Sequence, residues 1–298
     1  MKKKEKKNFK IAIIGCTILT FEFLKFLINE RYDVRLLITK KNDGYNSDYV
    51  DLKKNFKKKI KTVYTKNINS RKIETILFSN KINLVFVIGW SHILKQNILK
   101  IPKYGLIGHH PSKLPYNRGK HPIIWSIFLG QKNIGSSFFL MTKKIDDGKI
   151  LTQKIYKIKK NTNSLKLLKE ISKGFKDQIK ELFYNLKNKK FLKNNESKSN
   201  YWRKRNFKDG IIDFRMSAES IYRLVLSLAK PYPNAVVEFK NKNFYIEKAN
   251  IIKENNQNYF TGQIIKRRRD YIVIKCYKDA IKLYNKSLIN KLKKVNYL

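Results

Sequence analysis

The sequence predicts an α/β fold: a mostly parallel sheet with helices on both faces, followed by a small C-terminal β-barrel. Three observations lead to it. The runs KIAIIG and LVFVIG are short, almost wholly apolar and adjacent to segments of helical periodicity, which is how parallel strands buried on both faces read. YDVRLLITK follows the first helical segment and completes a β-α-β opening. Towards the C-terminus VVEFK, KNFYIEKA, YFTGQIIK, DYIVIKCY and AIKLYN alternate apolar with polar residues between polar turns, and five such strands within about 60 residues predict a small open barrel.

Each element can be justified in order. After the basic lead MKKKEKKNF, the strand KIAIIG feeds the helix LTFEFLKFLINE, whose apolar residues recur on one face. The turn between them holds one glycine, Gly15, where a dinucleotide fingerprint needs three, so a nicotinamide or flavin dinucleotide is excluded there. A second helix, within INSRKIETILFSNKIN, leads to LVFVIG. Gly89, Trp90, Ser91 and His92 then lie just past the strand's C-terminal end, where open α/β sheets bind ligands. HPIIWSIFLGQ reads as a short helix, SSFFLM as a strand, and DDGKILTQKIYKI as a turn feeding an alternating segment. SLKLLKEISKGFKDQIKELFYNLKN has the spacing of one long amphipathic helix. KKFLKNNESKSN is polar and lysine-rich, which places the expected boundary between a catalytic domain at 1–195 and a barrel domain at 196–298. MSAESIYRLVLSLAK then reads as a helix capped by Ser217 and ended by PYP.

Composition bounds the function. With 298 residues, 42% hydrophobic and 13% aromatic, the chain has apolar area enough for a large and a small core and is not a disordered basic tail. Cys16 and Cys276 are far apart in apolar runs and read as buried inert thiols, which excludes a disulfide framework and a four-thiolate zinc site. The first apolar run is broken by Glu22 and Lys25 without a cleavage pattern, so neither a signal peptide nor a membrane span is expected, and the localisation expected is cytoplasmic. The formal charge of +45 is spread as lysine beside asparagine over the whole chain. It predicts non-specific attraction to polyanions at low salt and a preference for anionic ligands such as phosphates. A homodimer is the default oligomer.

The stretch IGHHPSKLPYNRGKHP holds three of the four histidines. A metal would need His109, His110 or His121 to converge with Asp146 or Asp147, but neighbours in extended backbone point to opposite sides and no zinc spacing fits; no metal is expected. A catalytic pair fits better. His110 lies in a proline-bounded loop after the strand YGLIG, and the DDG turn follows SSFFLM; neighbouring strands would bring a carboxylate to an imidazole, the usual equipment for moving a proton near neutral pH. Ser112 lacks a nucleophile elbow. Simple local solvation of the histidines stays open from the residues alone.

HPSKLPYNRGKHPIIW (110–125), GSSFFLM (135–141) and DDGKILTQ (146–153), with VIGWSHIL (87–94), YWRKR (201–205), DGIID (209–213) and PYP (231–233), resemble the family of formyltransferases that use N10-formyltetrahydrofolate. The likeness runs through nearly the whole chain. It implies a Rossmann-like domain followed by an OB-like barrel. Within the family the motifs are most similar to enzymes that formylate a nucleotide-linked amino sugar (dTDP, UDP or GDP) for cell-surface polysaccharide, lipopolysaccharide or O-antigen synthesis; the chief alternative is the formylase of methionyl-tRNA. The resemblance implies that the substrate's primary amine attacks the formyl carbon, with His110 as acid-base group and Asp146 orienting it. It places Trp90, Ile93 and Leu94, with Asp146, around the folate. It sets Asn117, Arg118 and Lys120 towards substrate hydroxyls or diphosphate, although Arg118 could equally brace its loop. Tyr201 and Trp202 would stack on a base or fix the domain junction. One position departs: the family's asparagine two residues before the histidine is Gly108 here. His109, imidazolium at His110 or a backbone amide must then serve the oxyanion.

Overall fold

The computed structural model describes residues 8–193 and 199–298. They fall into two compact units, one of Met1–Pro122, Ile134–Tyr156 and Leu168–Trp202 and the other of Ile123–Asn133, Lys157–Leu167 and Arg203–Leu298. The units do not follow a single cut in the chain: two short excursions of the N-terminal half are grouped with the C-terminal residues.

The first unit is built on β1 (Ile11–Ile14), helix α1 (Ile18–Asn29), β2 (Val34–Thr39), α2 (Leu52–Phe56), β3 (Lys61–Tyr64), α3 (Arg71–Ser79), β4 (Leu84–Ile88), α4 (Gln96–Leu99) and β5 (Leu106–His110). Beyond these come β6 (Arg118–Gly119), β7 (Asn133–Leu140), β8 (Ile150–Lys157), α7 (Phe175–Lys187) and β9 (Tyr201–Trp202), while α5 (Pro122–Phe128) falls in the second unit from Ile123 on and α6 (Ser164–Lys173) is divided between the two at Leu167. A seven-stranded sheet runs in the order β3-β2-β1-β4-β5-β7-β8. Its first five strands are parallel and β7 is antiparallel to β5.

Every residue of β1 and of β4 is buried, because each face of the sheet is covered. Ala12, Ile14, Val85 and Val87 pack with Ile73 and Leu77 of α3 on one side. On the other, Phe86 meets Phe23 of α1 and Phe183 of α7 at ring centroids 5.0 and 6.2 Å apart. The strand order reverses direction between β1 and β4, which opens a crevice at their carboxyl ends.

The single long helix expected over 164–188 is two helices, α6 and α7, parted at Gly174. A side-chain carbon there would stand 1.7 Å from the Tyr156 hydroxyl; the close approach of β8 needs glycine, and glycine in turn weakens the helix. Strand β3, KTVY, is a further element that the sequence reading omitted.

In the second unit α8 (Ala218–Ser227) starts at Ser217, whose hydroxyl accepts from the Ser220 amide as an N-cap. Six strands follow rather than five: β10 (Ala235–Phe239), β11 (Lys242–Ile246), β12 (Lys248–Ile252), β13 (Ile264–Arg267), β14 (Ile272–Lys275) and β15 (Ala280–Tyr284), before the helix α9 (Lys286–Lys291). The segment KNFYIEKA divides, because β11 pairs with β10 while β12 joins the antiparallel sheet β12-β15-β14-β13. No described helix is long and apolar enough to cross a membrane.

Candidate active site

The two adjacent histidines are the last residues of β5, inside the strand rather than in the loop after it. Strand geometry sends them to opposite faces. His109 enters the aromatic face, its ring centroid 4.7 Å from that of Phe138 and 5.4 Å from that of Phe175. The Ser136 hydroxyl donates to Gln178 Oε1 at 2.9 Å, so it accepts from His109 Nε2–H at 2.8 Å. Burial, and secondarily the neighbouring His110, push the His109 pKa down to about 3. His109 is thus a core residue on the face opposite His110, and of the three candidates for the oxyanion it is the one that this geometry does not bring beside Asp146.

That placement has a measurable consequence. The unfolded chain protonates His109 near pH 6.5, whereas the folded chain resists until about 3. The unfolded state therefore binds more protons across this window, and stability falls as pH falls below 6.5. The expected contribution of this one group is a loss of about 2 kcal/mol between pH 8 and pH 5. Urea unfolding of His109→Phe should show that much less acid sensitivity than the parent; an identical pH dependence would refute the assignment.

His110 is 5% exposed and faces the other way. Its Nε2 donates to the carbonyl of Asn117 at 2.8 Å, and its Nδ1 lies 3.6 Å from Asp146 Oδ2. Two loops meet here, and consecutive residues of one grip consecutive carboxylates of the other. The Gly119 amide donates to Asp146 Oδ2 at 2.8 Å, and Arg118 Nη2 pairs with Asp147 Oδ1 at 3.1 Å. Further bonds tie the histidine loop to its neighbours: Ser137 Oγ donates to the Ser112 carbonyl at 2.7 Å, and Gln153 Nε2 to that of Leu114 at 3.0 Å. Asn117 and Asp146 both adopt left-handed backbone, with φ of 60° and 47°, conformations that Asn and Asp tolerate better than most residues.

Gly108 lies two residues before His110 and so projects to the same face. A carbon built on it would stand 2.7 Å from Phe139 Cζ and 3.1 Å from Met141 Cγ. Phe139 is its cross-strand partner, and its ring occupies the space a side chain at 108 would need. No carboxamide can stand there without displacing that ring.

The other predicted residues divide by what they touch. Arg118, 4% exposed, braces the loop through Asp147, and its guanidinium lies 5.8 Å from the Tyr201 ring, whose hydroxyl accepts from Nη1 at 3.4 Å. Lys120 Nζ donates to the carbonyl of Ser91 at 3.2 Å, linking the histidine loop to the end of β4. Trp90 is half-buried against the β4 face cluster with Leu94 and Met141, and its Nε1–H is buried with no partner among the described residues. Ile93 is 66% exposed. A flat apolar wall with an unsatisfied donor fits a flat heterocycle that carries acceptors, as the pterin of a folate does. Tyr201 and Trp202 form β9, paired in parallel with β6. Arg203 and Arg205 belong to the second unit, where both lie over the Trp125 ring at 5.2 and 4.7 Å.

Lys40, at the end of β2, escaped notice in the sequence. It is buried and donates to both Asp43 oxygens at 3.0 and 2.9 Å. His92 packs against Tyr45 and Trp90, with ring centroids 5.8 and 5.6 Å away; burial, then the Lys40 charge, lower its pKa. Cys16 and Cys276 are buried, and burial pushes each thiol up to about 12, so both are inert.

An open α/β sheet whose crevice holds an imidazole beside a carboxylate has the equipment to move a proton near neutral pH. Residues 10–180 match the model of the formyl transferase family, and residues 206–294 that of its C-terminal domain. The chain belongs to the formyl transferase family. It is 36% identical over 233 residues to the bifunctional polymyxin resistance protein ArnA of Wigglesworthia glossinidia brevipalpis, covering 78% of this chain but only 35% of that relative's length. It is 26% identical to the methionyl-tRNA formyltransferase of Caldanaerobacter subterraneus subsp. tengcongensis over 92% of this chain and 90% of the other. Its fold is similar to that of an N-formyltransferase from Helicobacter canadensis in complex with folinic acid and dTDP-3-aminofucose. That likeness has a TM-score of 0.67 and 18% identity, over 93% of this chain and 99% of that one.

Proposed function

We propose that this formyltransferase moves the formyl group of N10-formyltetrahydrofolate to the primary amine of a nucleotide-linked amino sugar. The observation that carries the chemistry is the His110–Asp146 pair. With Nε2–H engaged by a carbonyl, Nδ1 is the nitrogen left to take a proton, 3.6 Å from a carboxylate that balances the resulting charge. The folate supplies an activated formyl carbon; Trp90, Ile93 and Leu94 would hold its ring, and Asp146 lies at the same crevice. The neutral amine attacks that carbon, its nitrogen gives up a proton to Nδ1, and the carbon–N10 bond breaks as N10 takes a proton in return. Gly108 leaves no side chain for the oxyanion, so protonated His110 and backbone amides serve it. Asn117, Lys120, Tyr201 and Trp202 are the residues assigned to the sugar nucleotide, Tyr201 offering a 57% exposed ring for a base. Arg118 acts on that substrate through the loop it braces.

Support for the sugar comes from solved structures of similar fold, among them sugar N-formyltransferases similar over nearly their whole length. Methionyl-tRNA is the second reading, favoured by the curated relatives and by the +45 charge. A substrate panel separates them: nucleotide-linked 3-amino and 4-amino sugars against charged initiator tRNA, with the folate donor at physiological salt, where non-specific phosphate attraction is weakened. Formylation of a sugar nucleotide is the expected result; efficient formylation of tRNA with the sugars ignored would overturn it. A cytoplasmic homodimer serving cell-surface polysaccharide synthesis completes the proposal.

A further inference from the structure

The carbonyl that fixes His110 is itself held in place from a distant part of the chain. Asn117 carries that carbonyl in a left-handed backbone conformation. Asn200, 83 residues on, clasps it reciprocally: the Asn117 amide donates to Asn200 Oδ1 at 2.8 Å, and Asn200 Nδ2 donates to Asn117 Oδ1 at 3.1 Å. The next amide, of Arg118, donates to the Asn200 carbonyl at 3.0 Å, and that of Lys120 to the Trp202 carbonyl at 3.1 Å. The approach is close enough that a carbon on Gly119 would stand 2.4 Å from the Trp202 carbonyl oxygen. The strap Asn200–Trp202 therefore sets both the position and the direction of the Asn117 carbonyl.

That direction decides a proton. A carbonyl only accepts, so neutral His110 must carry its hydrogen on Nε2 to meet it. The other tautomer would oppose two lone pairs at 2.8 Å and spend its N–H on Asp146, leaving Nδ1 unable to accept from an amine. We propose that Asn200 is a positioning residue that acts through Asn117 to hold His110 in the Nε2–H tautomer, keeping Nδ1 as the proton acceptor beside Asp146. Asn200 touches neither the ring nor the reacting atoms in this role.

The tautomer can be read without any substrate, so this inference stands or falls apart from the identity of the acceptor; only its kinetic arm uses the formyl transfer proposed above. Imidazole 15N shifts of the full chain labelled at histidine, with His110 assigned by its loss in His110→Gln, should report Nε2–H in the parent. In Asn200→Ala the two nitrogens should move towards a mixture. Against whichever amine the parent formylates, kcat should fall at least about tenfold, as when a histidine's orienting partner is removed, with KM for both substrates within about twofold. Asn200→Asp should rescue both readouts, because the Asn117 backbone amide still donates to one carboxylate oxygen and the Asn117 side-chain carboxamide can turn over so that its Nδ2 donates to the other; it also serves if the alanine variant fails to fold. Parental 15N shifts in a folded Asn200→Ala or Asn200→Asp variant that has lost activity would overturn the proposal, as would a shifted tautomer with unchanged kcat.

Discussion

Replacing His110 by alanine is expected to lower kcat/KM for formyl transfer by about 10²–10⁴, the range for loss of a positioned acid-base group. The amine's proton would have to pass directly to solvent or to Asp146, and the Nε2–H that anchors the ring to Asn117 would be gone. Asp146→Asn separates charge from shape. The asparagine oxygen still accepts from the Gly119 amide, so the loop should stay folded, but the imidazolium formed during attack loses its counter-charge. The fall should therefore appear in kcat more than in KM, with thermal stability close to the parent's. Steady-state kinetics beside a melting curve checks both variants; a folded His110→Ala enzyme keeping more than about a tenth of the parental rate would sink the assignment.

Gly108→Asn carries the second large effect, and its sign runs against the motif. The variant restores the residue that the family resemblance expects, yet its first side-chain carbon would press on Phe139 Cζ from 2.7 Å and on Met141 from 3.1 Å. Overpacking of this kind costs about 1–3 kcal/mol, and here it is applied at the pairing of β5 with β7, one residue from His109 and two from His110. Both stability and activity should fall. Phe139→Ala opens the space the asparagine needs, so the double variant Gly108→Asn, Phe139→Ala should be more active and more stable than the sum of the single changes predicts. Urea midpoints and rates for the four proteins of this cycle test it; a single Gly108→Asn variant as stable as the parent and faster would show that Phe139 does not fill that place.

Much of the fold could be read because its signals are local. β1 and β4 are continuous apolar runs, and a sheet covered on both faces leaves no other explanation for them. Ser217 announces α8 by capping chemistry alone. Less could be read wherever an answer depends on partners distant in sequence. Nothing around Gly174 shows that the Tyr156 hydroxyl crosses there, so two helices looked like one. Lys40 is one buried cation in a chain with 67 Lys and Arg, and only its pairing with Asp43 in a folded crevice sets it apart. His110 and Asp146 were identifiable because their loops carry dense motifs, whereas Asn200 sits in a polar stretch with no spacing that ties it to Asn117. The role of His109 turned on where β5 ends: two residues in a loop can share a site, but two at the end of a strand cannot.

That ending gives the strand a parity. The odd-numbered histidine belongs to an apolar medium in which its charge is forbidden, the even-numbered one to a crevice where charge must come and go, and nothing but alternation decides which is which. Deleting one residue in the turn before Leu106 and carrying the slip through β5 would exchange the faces of two chemically identical side chains, seating His110 among the aromatic rings and His109 where Gly108 now meets Phe139. What would make one imidazole the proton carrier of the proposed reaction and its neighbour a piece of core is thus the counting of residues between Gly105 and the sheet's edge.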